Sequence, residues 1–358
     1  MKITFPHMGK LVIPLEAIFS NLKITVVPPP ATTKETIKKG ALYAPEQICL
    51  PFKINLGNLI EAYDHGADTM IMLGGCGPCR FGYYGTLLNE ILTDLGINYT
   101  FFNLDQNLFA KINSIRKQLD LSWIDIYRAV NFGWEKLLLI EQLEDISVTY
   151  SSRFIDLEKS KFDNQIKKYL EQVEKAGDKT QLEEIKININ KFQQDCYSSP
   201  LTNRYPIKIA LVGDIYTLLE PQSNFFIERE LVKRNVTVLK TIKISDWLKT
   251  SLVGFERSKE GKELLKLSKA YLQNTVGGHG LHTIGNSIKL TTQVDGVIQV
   301  MPFTCTPEIV AQSILPNIAK DYKLPILTLI FDEHSSDIAI LTRIEAFIDL
   351  LERRKRIS

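Results

Sequence analysis

The stretch that decides the fold of this 358-residue chain is IKIALVG, residues 207–213. Apolar side chains fill it with one interruption and glycine ends it, which is typical of a strand buried in a parallel sheet. From there to the end of the chain, we expect helices at 224–234, 259–273, 307–319 and 338–354, and strands at 236–239, 296–300 and 325–331. This alternation predicts βαβ units around a parallel sheet.

The first hundred residues show the same alternation. We expect strands at 2–5, 23–28, 69–73 and 99–103, and helices at 11–22, 54–65 and 83–95. From about residue 106 to 198 strand-like runs vanish, and Lys, Glu, Gln and Ile recur at helical spacing. The sequence therefore predicts an α/β lobe at 1–105, a helical middle segment at 106–200 and a second α/β lobe with a C-terminal helix at 201–358.

Composition limits the partners and the compartment. Lys and Arg number 43 against 41 Asp and Glu, so no overall basic field favours nucleic acid. The sequence contains no run of about 18 apolar residues, so no membrane span is predicted. The N-terminus lacks the apolar stretch and cleavage site of a signal peptide. We therefore predict a cytoplasmic protein, in which five reduced cysteines fit a disulfide framework poorly.

In three segments of the sequence, glycine or proline lies close to a cysteine: PEQICLP at 45–51, GGCGPCR at 74–80 and MPFTCTPE at 301–308. Glycine permits turns that expose backbone N–H groups to sulfur, and proline stiffens the loop. A cysteine just ahead of a helix has its thiolate favoured by the helix dipole. Cys49, Cys76, Cys79 and Cys305 are therefore the candidate metal ligands, whereas Cys196 lies in a helical segment without such a setting.

The residues alone leave several kinds of site open. A Cys-x-x-Cys pair also suits a thioredoxin-like redox site, but that interpretation leaves Cys49 and Cys305 unexplained. A structural zinc site would use all four thiolates, although such sites usually combine two paired motifs. An iron–sulfur cluster is the most favoured of these, and packing roles remain as a further alternative.

Two polar motifs are weaker signals. The turn GGHG at 277–280 could present an imidazole or bind an anion, yet such a histidine is more often structural. The run DEH at 332–334 ends the last predicted strand, where it could orient a substrate or cap the next helix. Neither a Walker A motif nor a GxGxxG after a strand is present, so binding of ATP or a dinucleotide by these routes is not expected.

The motifs, taken in order, resemble the 2-hydroxyacyl-CoA dehydratase and benzoyl-CoA reductase family. They are PEQICLPFK at 45–53, GPCRFGYY at 77–84, GGHG at 277–280, PFTCTPE at 302–308, DEH at 332–334 and TRIEAF at 342–347. The resemblance spans nearly the whole chain and is nearest to the branch related to the acyl-CoA dehydratase activase. It implies two flavodoxin-like, doubly wound lobes and an oxygen-sensitive [4Fe–4S] cluster between them.

The resemblance also implies a type of reaction that belongs to anaerobic metabolism. In the family, a separate ATP-hydrolysing activase delivers one low-potential electron. In true dehydratases this electron reduces a 2-hydroxyacyl-CoA thioester to a ketyl radical, so that the hydroxyl group can leave. Benzoyl-CoA reductases and double-cubane cluster proteins use the same delivery.

Carried over by position, the resemblance implies Cys49, Cys79 and Cys305 as cluster ligands, with Cys76 matched less firmly. Three cysteines would leave one iron open for substrate, whereas four would close the cluster and favour an electron carrier. His279 and Glu308 are the candidate catalytic residues, expected beside the ligands.

Three functional hypotheses follow. The first is an enzyme, or enzyme subunit, that accepts an electron from the activase and performs a radical dehydration or a reduction, with an acyl-CoA as the implied substrate. The second is a non-catalytic electron-transfer or cluster-carrying partner. The third is a structural zinc protein. Pairing with a second or related subunit, as a homo- or heterodimer, is also implied.

Overall fold

Two four-stranded parallel sheets form the frame of the molecule in a computed structural model that describes residues 1–74, 79–104, 108–154, 156–198 and 206–357. The first sheet contains β1 (Lys2–Thr4), β2 (Thr25–Val26), β3 (Thr69–Leu73) and β4 (Thr100–Leu104). The second contains β5 (Lys208–Gly213), β6 (Thr237–Lys240), β7 (Gly296–Pro302) and β8 (Ile326–Phe331). The spatial orders β2-β1-β3-β4 and β6-β5-β7-β8 are the same topology used twice. The predicted α/β fold with two flavodoxin-like lobes is confirmed.

Helices cover both sheets and fill the middle of the chain. In the first lobe they are α1 (Val12–Asn21), α2 (Lys34–Tyr43), α3 (Leu50–Asp64) and α4 (Tyr84–Asp94). The middle segment contains α5 (Leu108–Gln118), α6 (Trp123–Tyr150), α7 (Asp156–Lys175) and α8 (Lys179–Ser198). The second lobe contains α9 (Ile215–Leu219), α10 (Ile227–Lys233), α11 (Ile244–Val253), α12 (Lys259–Ser268), α13 (Gly280–Lys289), α14 (Thr306–Asp321) and α15 (Asp337–Ile357). None of the helices in the described ranges is both long and apolar enough to cross a membrane.

The central strands explain why residues 207–213 decide the fold. In β5 every residue after Lys208 is buried, and β7 is buried along its whole length. The two strands pair in parallel register, with Ala210 opposite Val297. Covered by helices on both faces, they need continuous apolar runs instead of an alternating pattern.

Helix α3 belongs to the cores of both lobes. Its residues from Leu50 to Leu59 are all buried. Phe52 and Leu56 pack in the core of the first lobe with strand β3, whereas Ile54 packs in the core of the second lobe. Each fully buried side chain of this size contributes about 1.5–3 kcal/mol to stability. Burying α3 therefore joins the two lobes.

Helix α2 crosses α3 at two glycines. A Cβ atom at Gly40 would overlap the main-chain carbonyl oxygen of Lys53, and one at Gly57 would overlap that of Thr36. The two helix backbones thus approach more closely than any residue with a side chain would allow. This close approach explains glycine in two helix interiors, where it is otherwise unfavourable.

Several predicted bounds were wrong. The helix expected at 259–273 ends at Ser268, and the one expected at 224–234 begins only at Ile227, because Phe225 and Phe226 adopt left-handed backbone angles. Helices α2, α9, α11 and α13 were missed. Helix α13 follows the glycine-rich turn and is rich in Gly, Thr, Ser and Asn, so only its burial explains why it forms. The domain boundaries near residues 105 and 200, which lie outside the described residues, stay predictions.

We expect Gly40→Ala to lower the free energy of unfolding by about 1–3 kcal/mol, because the overlap with Lys53 outweighs the helix propensity of alanine. The matched control is Gly177→Ala, where a Cβ atom would meet nothing within 4 Å. That change should leave stability equal or slightly higher. Urea denaturation measures both, and equal stability of the two variants would contradict the close packing of α2 on α3.

Candidate functional site

Three cysteines each lie at the amino end of a helix. Cys49 is the N-cap of α3, and Cys305 is the N-cap of α14. Cys79 is the N-cap of a 3₁₀ turn at Arg80–Tyr83 that leads directly into α4. Pro51 and Pro307 occupy the first turns of their helices, where a missing N–H is harmless. Three helix dipoles therefore favour negative charge at three sulfur atoms.

The chain order explains why these helix ends meet. Helices α4 and α14 follow strands β3 and β7, so both begin at the carboxyl edge of a parallel sheet. Helix α3 precedes β3 and runs back along the sheet, so its amino end lies at the same edge. Cys49 is thus brought to the site by helix packing, although no strand ends beside it in the sequence.

One carbonyl group ties the three cysteine segments together. The main-chain oxygen of Gln47, two residues before Cys49, accepts a hydrogen bond from Arg80 Nη1 at 2.8 Å. The same oxygen accepts another from Thr304 Oγ1 at 3.1 Å. Arg80 follows Cys79, and Thr304 precedes Cys305. Thr304 has φ of 65°, a strained angle for a β-branched residue, so this contact helps to hold an unfavourable backbone conformation.

The thiols themselves are neighbours. A negative charge on Cys79 raises the pKa of Cys49, and a negative charge on Cys49 raises the pKa of Cys305, in addition to the larger effect of burial. Gly278, in the turn before α13, lies against Cys79: a Cβ atom there would be 3.8 Å from Cys79 Sγ and 2.8 Å from Pro307 Cγ. Two cysteines from the first lobe and one from the second thus come together. Cys76, the fourth predicted ligand, lies outside the described residues.

The described residues include no group of three His, Cys, Asp or Glu side chains that could hold one metal ion. The three thiols therefore do not converge on a single point. Cys196 is separate from them, buried in the core of the middle helices with Phe162 and Ile189.

Burial and hydrogen bonds have opposite effects on the pKa values of the three thiols. Burial raises the pKa of Cys49 to about 11, while the Tyr84 hydroxyl, 2.6 Å from its Sγ, lowers it. Burial also raises the pKa values of Cys79 and Cys305. A hydrogen bond from the main-chain N–H of Phe81 lowers the pKa of Cys79, and one from the N–H of Glu308 lowers that of Cys305, but burial has the larger effect. At neutral pH the free thiols therefore keep their protons.

Asp214 adds a negative charge to the site. It follows β5 directly, and its carboxylate raises the pKa values of all three thiols in addition to burial. Its side chain caps α9 by accepting hydrogen bonds from the N–H and the hydroxyl of Thr217, at 2.9 and 2.8 Å. Sequence reasoning missed this residue, although its place at the carboxyl edge of a central strand was a usable signal.

A buried ion pair closes the site on the side of α15. Lys53, only 3% exposed, contacts Glu333 Oε1 at 2.5 Å and donates to the carbonyl oxygen of Glu46 at 2.9 Å. One ammonium group thus holds the Cys49 loop and the loop after β8. Within the DEH motif, Asp332 caps its own turn by accepting from the N–H of His334, and α15 begins later, at Asp337.

The two predicted catalytic residues lie beside the cysteines in different settings. Glu308 is fully buried in the first turn of α14 and accepts hydrogen bonds from Thr283 Oγ1 at 3.0 Å and Gln299 Nε2 at 2.9 Å. It therefore joins α14 to α13 and β7. His279 is the N-cap of α13, with its ring 5.0 Å from that of His282. Their catalytic roles stay predictions.

We expect Lys53→Met to lower the free energy of unfolding by about 3 kcal/mol, because Glu333 is left without its partner in a largely buried place. Lys34→Met is the matched control, since Lys34 pairs with Asp337 from the same two lobes, but with 63% and 46% of the side chains exposed. That loss should be about 1 kcal/mol or less. Similar losses in chemical denaturation would argue against a special role for the buried pair.

We expect stability to fall on acidification from about pH 6.5 to pH 4, because burial lowers the pKa of His279 to about 4 and that of His282 to about 3. Unfolded histidine takes up its proton near pH 6.5, so acid favours the unfolded chain. His282→Phe should reduce this loss and preserve stability at pH 8, since its Nδ1 is buried without a partner in the described structure and its ring contacts Phe255. Thermal melting against pH measures both, and an unchanged acid loss in the variant would contradict the assignment.

No family model matches the chain, and no curated protein matches it at a significant level. The arrangement of Cys49, Cys79 and Cys305 between the two lobes therefore carries the functional argument.

Proposed function

We propose that this chain is an iron–sulfur protein of the 2-hydroxyacyl-CoA dehydratase type. In this proposal it accepts a low-potential electron from an ATP-dependent activase and uses it for the radical dehydration or reduction of a substrate. An acyl-CoA is the substrate class that the sequence resemblance implies. The observation that carries the proposal is the meeting of Cys49, Cys79 and Cys305 at three helix amino ends, tied by the Gln47 carbonyl.

A [4Fe–4S] cluster is the group that we assign to these cysteines in this proposal. Cys49, Cys79 and Cys305 would hold it as thiolates, which the helix dipoles and the main-chain donors of Phe81 and Glu308 stabilise. Gly278 keeps the space beside Cys79 free of a side chain. When bound, such a cluster supplies one-electron transfer at low potential.

Thiols with raised pKa values do not suit disulfide exchange. Redox-active cysteines react as thiolates, and their pKa values are lowered by their surroundings. Here burial and Asp214 act in the opposite direction at all three sulfurs. A bound metal ion would have to displace the thiol protons against this effect, because a coordinating thiol is deprotonated.

The other residues of the site restrict water and set the local charge. Tyr84, 4% exposed, directs its hydroxyl at Cys49 Sγ. The Lys53–Glu333 pair closes the Cys49 loop against the second lobe. Asp214 places negative charge near all three thiols, which disfavours an added electron and so suits a strong reductant.

The first test is the metal content of protein purified without oxygen. We expect about four irons and four sulfides per chain, and an EPR signal of a reduced cluster after dithionite treatment. Addition of the ATP-dependent activase with ATP should then produce the same signal in place of dithionite. Stoichiometric zinc without iron would refute the proposal, and a protein that holds neither metal after anaerobic reconstitution would refute it as well.

We expect Cys49→Ser, Cys79→Ser and Cys305→Ser each to lose most of the iron. Cys196→Ser is the control and should keep it, because Cys196 is buried among the middle helices and lies in a separate core cluster. Full iron content in any of the first three variants would remove that residue from the ligand set. Circular dichroism distinguishes loss of the cluster from loss of the fold.

Cys76→Ser separates the enzyme from the electron carrier. If the variant keeps its iron, three cysteines suffice and one iron is open to substrate, as a dehydratase requires. If the iron is lost, four thiolates close the cluster and the electron carrier is the better description.

A further inference from the structure

The second sheet has an open edge at β8. This strand is the last in the order β6-β5-β7-β8, and no strand lies beyond it in the part of the chain that the structure describes. Residues 326–328 are partly exposed, whereas β7 beside them is buried along its whole length. At the opposite edge, α6 covers β6, and Glu144 of the helix contacts Lys240 of the strand at 3.1 Å. The sheet therefore has room for a further strand beside β8.

The main chain of β8 presents hydrogen-bonding groups at this edge. The N–H of Val297 in β7 donates to the carbonyl oxygen of Pro325, and the two strands pair in parallel register. Because alternate residues of a strand bond to the same neighbour, the main-chain groups of Ile326 and Thr328 point away from β7. Arg343 Nη2 of α15 donates to the Thr328 oxygen at 2.7 Å, as this direction requires. The main-chain groups of Ile326 have no strand to pair with among the described residues.

A groove of about 800 Å³ runs along the amino half of this strand, between the end of α14 and α15. From Arg343 to Arg354, the α15 side of the groove is about 16 Å long. At about 3.3 Å per residue, this length matches about five residues of extended chain. Between the two arginines the lining is apolar, and an extended segment with apolar side chains would fill it. The apolar residues are Leu324, Ile326, Leu327, Phe347 and Leu350.

The described charged residues that line the groove are all positive: Lys320, Lys323, Arg343 and Arg354. Arg354 Nη2 donates to the carbonyl oxygen of Lys323 at 2.8 Å, so these two cations mark the end of the groove at the start of β8. Arg343 marks the other end through its contact with Thr328. Like charges would meet if two copies of this edge paired, so the cations oppose self-association and favour an acidic partner.

The groove is separate from the cysteine site. The motif TRIEAF at 342–347 supplies part of its α15 side, through Arg343, Ala346 and Phe347. The cysteines lie at the carboxyl edge of the sheets, whereas the groove borders the amino half of β8. A segment bound in the groove would therefore not cover the cysteines.

We propose that the groove binds an extended segment of another protein, which adds to the second sheet as a fifth strand beside β8. The segment is acidic at its ends and apolar in its middle. Its main chain pairs with Ile326, and its carboxylates contact Lys323 and Arg354 at one end and Arg343 at the other. In this mode of recognition, main-chain hydrogen bonds supply affinity and side-chain contacts supply specificity. The binding holds whether or not the chain carries a cluster.

Fluorescence anisotropy of a labelled peptide mixed with the full chain tests the binding. The peptide carries two glutamates at each end and alternating valine and threonine between them. Binding should be saturable and should weaken as the salt concentration rises from about 50 to 500 mM, because salt screens exposed charges. The same peptide with lysine in place of each glutamate should not bind. Absence of saturable binding, or equal binding of the lysine peptide, would overturn the proposal.

Charge reversal in the groove tests where the peptide binds. Arg343→Glu and Lys320→Glu should each weaken binding at least about tenfold, because each places a like charge beside the glutamates at one end of the groove. The matched control is Lys168→Glu, which makes the same change in net charge at an exposed lysine of α7 and should bind as the wild type does. Melting temperatures verify that the variants fold, since Arg343 also contacts Thr328. Wild-type binding by both groove variants would contradict the assignment.

Methylation of the peptide nitrogens separates strand pairing from attraction between charges. Two peptides of unchanged charge carry N-methyl groups on one or the other set of alternate residues in the middle. Only one edge of the bound strand faces β8, so one of these peptides should lose binding and the other should keep it. Equal binding of the two methylated peptides would mean that charge alone attracts them, and this result would overturn the proposal.

Discussion

The burial of helix α3 between the two lobes is the constraint on which the rest of the structure depends. A helix covered on all sides cannot rotate or shift without exposing Phe52 and Leu56 on one side or Ile54 on the other. Because its first residue follows Cys49, the packing that holds the lobes together also fixes the position of one sulfur. The glycine contacts with α2 restrict it further, since close-packed backbones leave no room for sliding.

The site follows from this constraint through short-range polar contacts. The Gln47 carbonyl accepts hydrogen bonds from the segments that contain Cys79 and Cys305. Lys53 holds the same loop against the second lobe through its ion pair with Glu333. Each contact joins groups far apart in the sequence, and each satisfies a polar group that burial would otherwise penalise. Burial of the three thiols also raises their pKa values, so each sulfur is neutral at neutral pH.

The middle helices contribute a second brace between the lobes. Glu144 of α6 contacts both Lys10, which precedes α1, and Lys240 of β6. Burial opposes its ionisation, yet the two lysines lower the pKa of Glu144 to about 2, so the charge persists at neutral pH. On the same helix, Glu141 accepts from the N–H of Ser245. With α3 and α6 both bridging, the relative position of the lobes is determined at two separated places.

The sequence by itself determined the architecture, because buried parallel strands and glycine- or proline-flanked cysteines have local signatures. Residues 207–213 predicted a central strand, and the positions of Cys79 and Cys305 after strands predicted their place at one sheet edge. Helix α13 and the left-handed Phe225 and Phe226 could not be predicted, since burial overrides the local preferences of these residues. Only the tertiary structure decided that Gln47 joins the three segments and that Lys53 pairs with Glu333. Such contacts depend on how a helix packs against residues up to 280 positions away, and no local pattern encodes that distance.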